Sequence, residues 1–176
     1  MKTFEIERKF LIDKDKFFEY LSGCSKRERD SLQLLQCYIH RDEISETRVR
    51  FVMHKGKIYN GYIIVKYNTN NPSIRREFTS TMDEQTREDY YTYIKEHNIR
   101  CIEKDRYGII YSGHFFEIDF FKGDNEGLCL AEVELFREGE EIELPDFIIK
   151  EVTDDPKYYN KNLYINPYKN WNDNNG

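Results

Sequence analysis

The chain has no apolar run of transmembrane length, and its N-terminus has none of the apolar stretch that opens a signal peptide. Nothing in it calls for a bilayer or for export. It has no basic excess either: the formal net charge is −6, which excludes general nucleic-acid binding by charge alone. The histidines, His40, His54, His97 and His114, share no ligand spacing, so no zinc site is expected. The cysteines, Cys24, Cys37, Cys101 and Cys129, include no C-x-x-C pair. They read as free, small, buried thiols in a reducing compartment, and a cytoplasmic location is the expectation. No internal repeat, linker or low-complexity block divides the 176 residues, a length that suits one domain with a core of its own.

What is present is charge, and it is ordered. Charged residues make up 34% of the chain against 39% apolar, a heavy load for a globular protein. The charges recur at alternate positions within strand-like segments: Glu5, Glu7 and Lys9; Arg48 and Arg50; Lys104 and Arg106; Glu117 and Asp119; Glu132 and Glu134. A strand sends residues i and i+2 to one side, so each set forms a charged stripe backed by an apolar one. Phe116, Ile118 and Phe120 back Glu117 and Asp119; Val49, Phe51 and Met53 back Arg48 and Arg50.

The segments expected as strands are 3–11, 31–40, 47–53, 62–67, 74–79, 99–111, 115–121 and 127–136. Helices are expected from Asp13 to Gly23, over 82–98 with Asp83 as cap, and around 156–163. The region 142–149 is left unassigned. Residues 1–165 form one expected domain, and 166–176 an Asn-rich tail that frays unless Tyr168 and Trp171 dock on the body.

Two architectures fit a charged stripe. In a two-layer protein the charges merely face solvent. In a closed barrel they line the interior, and closure also removes edge strands. Solvated faces ordinarily mix residue types, whereas these strands carry like-charged pairs that repel each other. The acids assigned to the inside are Glu5, Glu7, Glu77, Glu117, Asp119, Glu132 and Glu134. The cations are Lys9, Arg48, Arg50, Lys66, Arg75, Lys104 and Arg106. Enclosing them costs desolvation unless they pair or bind ions. Carboxylate clusters suit hard divalent cations, and Arg and Lys clusters suit phosphate.

These residues resemble a known family. Glu5-Ile6-Glu7-Arg8-Lys9 is similar to the E-x-E-x-K opening of the CYTH superfamily, the triphosphate tunnel metalloenzymes. Gln36-Cys37-Tyr38 resembles its Q-G-Y strand, with Cys37 in place of the glycine. Arg48-Val49-Arg50 resembles its R-x-R pair, Ile64-Val65-Lys66 its lysine strand and Arg75-Arg76-Glu77 its R-x-E element, although the second acid often found there is Thr79. Lys104-Asp105-Arg106-Tyr107 resembles K-x-R-Y. Glu117-Ile118-Asp119 and Ala131-Glu132-Val133-Glu134-Leu135 resemble two late acidic strands. Glu151-Val152-Thr153 with Tyr159-Asn160 and Leu163 resembles the closing segment.

The resemblance implies an α+β, mainly β fold: a closed eight-stranded antiparallel barrel with flanking helices and a charged tunnel. It implies a magnesium- or manganese-dependent hydrolase of triphosphates, with inorganic tripolyphosphate as the preferred small-molecule substrate. Class IV-type adenylyl cyclase, thiamine triphosphatase, another organic triphosphatase and a non-catalytic polyphosphate binder stay open. The implied metal ligands are Glu5, Glu7, Glu117, Asp119, Glu132 and Glu134. The implied phosphate ligands are Lys9, Arg48, Arg50, Lys66, Arg75, Lys104 and Arg106, with strand phase choosing Arg75 over Arg76. Lys9, Tyr38, Glu132 and Asp119 are the expected catalytic residues, although Tyr38 reads equally as structural. No nucleic-acid or membrane partner is expected, and a homodimer is one assembly the resemblance allows.

Overall fold

The computed structural model describes residues 6–68, 75–137 and 139–171; the side chains of residues 68, 75 and 76 lie outside the description. The strands are β1 (Ile6–Ile12), β2 (Leu32–Arg41), β3 (Ser45–His54), β4 (Lys57–Asn68), β5 (Arg75–Thr81), β6 (Cys101–Tyr111), β7 (His114–Phe121), β8 (Cys129–Leu135) and β9 (Ile148–Glu151). The helices are α1 (Lys14–Ser22), α2 (Glu84–Glu96) and α3 (Asn160–Ile165). None is long and apolar enough to cross a membrane. The chain divides into two compact units, one comprising Met1–Phe4 and Gln33–Ile102, the other Glu5–Leu32 and Glu103–Gly176.

The first unit carries β2 to β5 and α2. Both ladders of β3, to β2 and to β4, are antiparallel, as is that of β4 to β5. The turn from β3 to β4 needs only Lys55 and Gly56, at φ 51° and 76°. Two successive left-handed residues make the tight turn that matches strand twist. Helix α2 starts where the Asp83 carboxylate accepts the Thr86 N–H at 2.8 Å. Its inward residue, Ile94, packs with Leu35, Val49, Phe51 and Met82. Gly61 suits this packing: a Cβ there would sit 2.8 Å from Arg87 Cγ, so the Arg87 side chain would have to shift.

The second unit carries β1, most of β6, β7, β8, β9, α1 and α3. Asp13 caps α1 by accepting from the N–H groups of Asp15 and Lys16 at 3.0 and 3.1 Å. Phe17 and Leu21, one turn apart, drop from α1 onto Phe10, Ile109, Phe116 and Phe147. The apolar stripes of β1, β6, β7 and β8 thus have a helix to bury against. The tail docks. The Tyr168 N–H donates to Asn125 Oδ1 at 2.8 Å, and the Trp171 ring meets Tyr158 edge-on.

The expected closed barrel does not form. The nine strands follow the order β5-β4-β3-β2-β6-β7-β8-β1-β9, with β5 and β9 at its ends and no ladder joining those ends among the described residues. The fold is α+β with a large, open antiparallel sheet. The unassigned region explains part of the difference, because it supplies β9. This short strand takes the edge of β1 not used by β8. Arg8 holds it there by donating to both Glu151 oxygens at 2.9 and 2.6 Å. With both edges of β1 filled, no edge of β1 is left for closure. Strand β5 stays an edge, with Phe78 60% exposed.

The cysteine expectation is also corrected. Cys37 and Cys101 form a disulfide with Cα atoms 4.4 Å apart, whereas Cys24 and Cys129 are free. The two partners are 64 residues apart in sequence, and only the packing of the first unit brings them together. One of the two arguments for a reducing compartment is thereby removed.

Candidate active site: two charged clusters

In the second unit the cluster is written by strand register. Glu7 faces Glu134 and Lys9 faces Glu132 across β1 and β8. Glu117 faces Glu132 across β7 and β8, and Arg106 faces Asp119 across β6 and β7. The side chains then join into one network. Lys9 Nζ donates to Glu132 Oε1 at 2.5 Å and to Glu7 Oε2 at 3.1 Å. Arg106 binds Asp119 by a two-point fork, Nε to Oδ1 and Nη2 to Oδ2, both 2.6 Å. The same guanidinium reaches Glu117 through Nη1 and Glu132 through Nη2. Lys104 donates to Asp119 Oδ2.

Burial makes these pairs strong determinants of protonation. It opposes the charged carboxylate at Glu132, but Lys9, Lys104 and Arg106 outweigh it and hold that carboxyl well below its ordinary range. Asp119 is likewise held down by Arg106 and Lys104 despite complete burial. Burial also disfavours the Lys9 ammonium, yet Glu132 and Glu7 raise its pKa. Lys104 goes the other way: burial and the adjacent Arg106 pull it below its ordinary value, against Asp119.

The cluster of the first unit has the opposite balance. Arg48 and Arg50 project from β3, opposite Tyr38 and Gln36 of β2. Lys66 of β4 faces Glu77 of β5 and meets it at 2.6 Å. Arg48 Nη2 lies 3.8 Å from the same Glu77 oxygen, and Thr79 donates to the other at 3.2 Å. Burial would raise the Glu77 pKa, but Lys66 and Arg48 lower it. The Arg48 Nε is buried and finds no hydrogen-bond partner among the described residues. Tyr38 stays a phenol, its pKa raised by burial, and accepts from Gln36 Nε2 at 3.0 Å.

Gln36, read from the sequence only as part of the Q-G-Y element and given no role, joins this cluster. It is 2% exposed and also accepts from Arg50 Nη2 at 3.4 Å. Its signal was available, since it stands two residues before Tyr38 on the same stripe. Glu5 lies outside the described residues, as does the side chain of Arg75. Of the other expected residues, Lys9, Glu117, Asp119, Glu132, Lys104 and Arg106 come together in one unit, and Arg48, Lys66 and Glu77 in the other. Glu134, the register partner of Glu7, is exposed.

A hard divalent ion fits the donor type of the second cluster. Its acids outnumber its cations, and they are oxygen donors. Glu7 and Glu134 stand directly opposite each other, an arrangement that repels unless a positive group is shared. Among the described residues, however, no group of three or more His, Cys, Asp or Glu is arranged to hold a metal. Glu117, Asp119 and Glu132 are already engaged by cations.

A large antiparallel sheet with buried ionic stripes, one acid-rich and one cation-rich, defines a protein built to handle a polyanion with a counter-ion. No family model matches the chain. It is 36% identical over 167 residues to a protein named inorganic triphosphatase from Acetivibrio thermocellus, covering 95% of this chain and 97% of that one. The crystal structure of the inorganic triphosphatase NE1496 is similar at TM-score 0.62 and 27% identity, over 94% of this chain and 96% of that one. A conserved hypothetical protein from Pyrococcus furiosus shares the fold at TM-score 0.52 and 18% identity, over 77% and 80% of the respective chains. The chain belongs to the CYTH superfamily of triphosphate tunnel metalloenzymes.

Proposed function

We propose that this protein is an inorganic triphosphatase, cleaving tripolyphosphate to pyrophosphate and phosphate with magnesium or manganese. The carrying observation is the pair of oppositely balanced clusters in a chain 36% identical, over nearly its whole length, to an inorganic triphosphatase. The buried Arg48 Nε, without a hydrogen-bond partner among the described residues, is a donor that an anionic oxygen would satisfy, and Arg48 shares Glu77 with Lys66. In this reading Arg48, Arg50, Lys66 and Arg75 of the first unit, and Lys9, Lys104 and Arg106 of the second, neutralise phosphate charge. Glu5, Glu7 and Glu134 would hold the metal, with Glu132 and Glu117 beside them.

The bound ion would supply Lewis-acid neutralisation of phosphate oxygens. The chain's own groups do the rest. Cations held rigidly by their carboxylate partners need no reorganisation as charge builds on the transferred phosphoryl group. Lys9, kept charged by Glu132 and Glu7, is a fixed donor. Tyr38, kept protonated, can donate its hydroxyl proton to a phosphate oxygen. Glu132, kept ionised by the cations around it, can orient water as a hydrogen-bond acceptor. The homodimer and the cytoplasmic location also belong to this reading; sedimentation and cell fractionation test them.

The deciding experiment is a substrate panel of tripolyphosphate, ATP, thiamine triphosphate and pyrophosphate with each metal, following phosphate and cyclic-nucleotide release. Tripolyphosphate is expected to turn over fastest. Glu7→Gln should remove at least 100-fold of kcat/KM, about 2.7 kcal/mol of transition-state stabilisation, while His54→Ala retains activity. Cyclic AMP as the main product, or binding without turnover, overturns the reading.

A further inference from the structure

Resting on the triphosphatase reading, we infer that Asp119 is a positioning residue that fixes Lys104 and Arg106 for phosphate, and that it is not a metal ligand. Glu132 is also engaged at both oxygens, by Lys9 and Arg106, but Asp119 is the more deeply enclosed. Its side chain is 0% exposed. Oδ1 accepts Arg106 Nε, and Oδ2 accepts both Arg106 Nη2 and Lys104 Nζ. Both oxygens are therefore committed to cations. Three of its roughly four acceptor sites are taken, so a metal ion at Asp119 would compete with a buried Arg and a buried Lys for the same carboxylate. Removing one member of a buried pair is strongly unfavourable.

Glu7 presents the contrast, with a side chain 35% exposed and directly opposite the exposed Glu134. The cations, for their part, keep capacity to spare. Arg106 Nη1 gives one N–H to Glu117 and carries a second, and its side chain stays 13% exposed. Lys104 likewise gives one of its ammonium protons to Asp119. Asp119 thus holds the back of both cations and leaves donors for an anion. Its position opposite Arg106 in the β6–β7 register makes this anchoring a property of the sheet rather than of a mobile side chain.

The test separates substrate binding from metal binding. Asp119→Asn and Glu7→Gln are compared with the unaltered protein by steady-state kinetics on tripolyphosphate. Mn2+ binding without substrate is followed by electron paramagnetic resonance, and thermal melting checks the fold. Asp119→Asn is expected to raise KM about 10- to 100-fold, the loss of a charged hydrogen-bond set, with the Mn2+ dissociation constant within about twofold of the original. Glu7→Gln is expected to weaken Mn2+ binding. Mn2+ binding weakened about tenfold or more in folded Asp119→Asn overturns the inference, as does an unchanged KM. Should that variant fail to fold, the pair Lys104→Met with Asp119→Leu takes its place and is read by Mn2+ binding alone, since loss of Lys104 itself raises KM. If the unaltered protein turns over no tripolyphosphate, the triphosphatase reading fails on its own. Calorimetric binding of tripolyphosphate then replaces KM.

Discussion

Reduction of the Cys37–Cys101 bond is a perturbation whose size follows from topology. The two cysteines are 64 residues apart, and the loop they close contains β3, β4, β5 and α2. That loop is nearly the whole first unit, with Arg48, Arg50, Lys66 and Glu77 inside it. In the chain-entropy description, cross-linking a loop of this length removes about 4 kcal/mol of freedom from the unfolded ensemble at 25 °C. A protein of this size shifts its Tm by about 2–4 °C per kcal/mol. Reduction should then lower Tm by about 8–16 °C. Reduction is also cleaner than substitution. Cys37 is 0% exposed among Leu35, Val49 and Phe51, so Cys37→Ala would add a cavity cost to the lost bond. The assay is scanning calorimetry of air-oxidised protein with and without dithiothreitol, beside thiol titration in denaturant. Oxidised protein should titrate only Cys24 and Cys129. A full complement of free thiols before reduction, or a Tm that does not move, refutes the reasoning.

Three further outcomes are expected. Glu132, Asp119 and Glu77 are all held below their ordinary values of 4.5, 3.8 and 4.5. A depressed carboxyl contributes stability above its unfolded pKa and loses it as pH falls toward the folded one. Urea midpoints should therefore be level near neutrality and fall once pH drops below about 4.5, and Glu132→Gln should flatten that acid limb. Gly61→Ala should cost about 1–3 kcal/mol in urea unfolding, because the new methyl meets Arg87 Cγ and the buried Met82 sulfur at 2.8 and 3.2 Å. Gly108→Ala should cost under about 1 kcal/mol although its contact with Phe115 Cζ is 2.6 Å, because that ring is 55% exposed and can swing outward.

The alternation of charge and apolar residues was enough to place most strands. Its period of two is a backbone property, and Arg48, Arg50, Glu117 and Asp119 fall on the stripe it assigns them. Caps were readable for the same local reason: Asp13 and Asp83 each accept N–H groups two or three residues ahead. The β9 strand was not readable. Its Ile148–Glu151 run is short, and it is held by Arg8, more than a hundred residues away in the chain.

What the chain determined by itself was therefore local and periodic: which residues share a face, where helices start, and which stripes are acidic or cationic. Those features are set by dihedral geometry and near neighbours. Tertiary structure alone decided that the sheet stays open, that Cys37 meets Cys101, and that Asp119 is spent on Lys104 and Arg106. Each of these depends on which distant segments pack together, a choice governed by long-range burial and pairing, on which a period of two is silent.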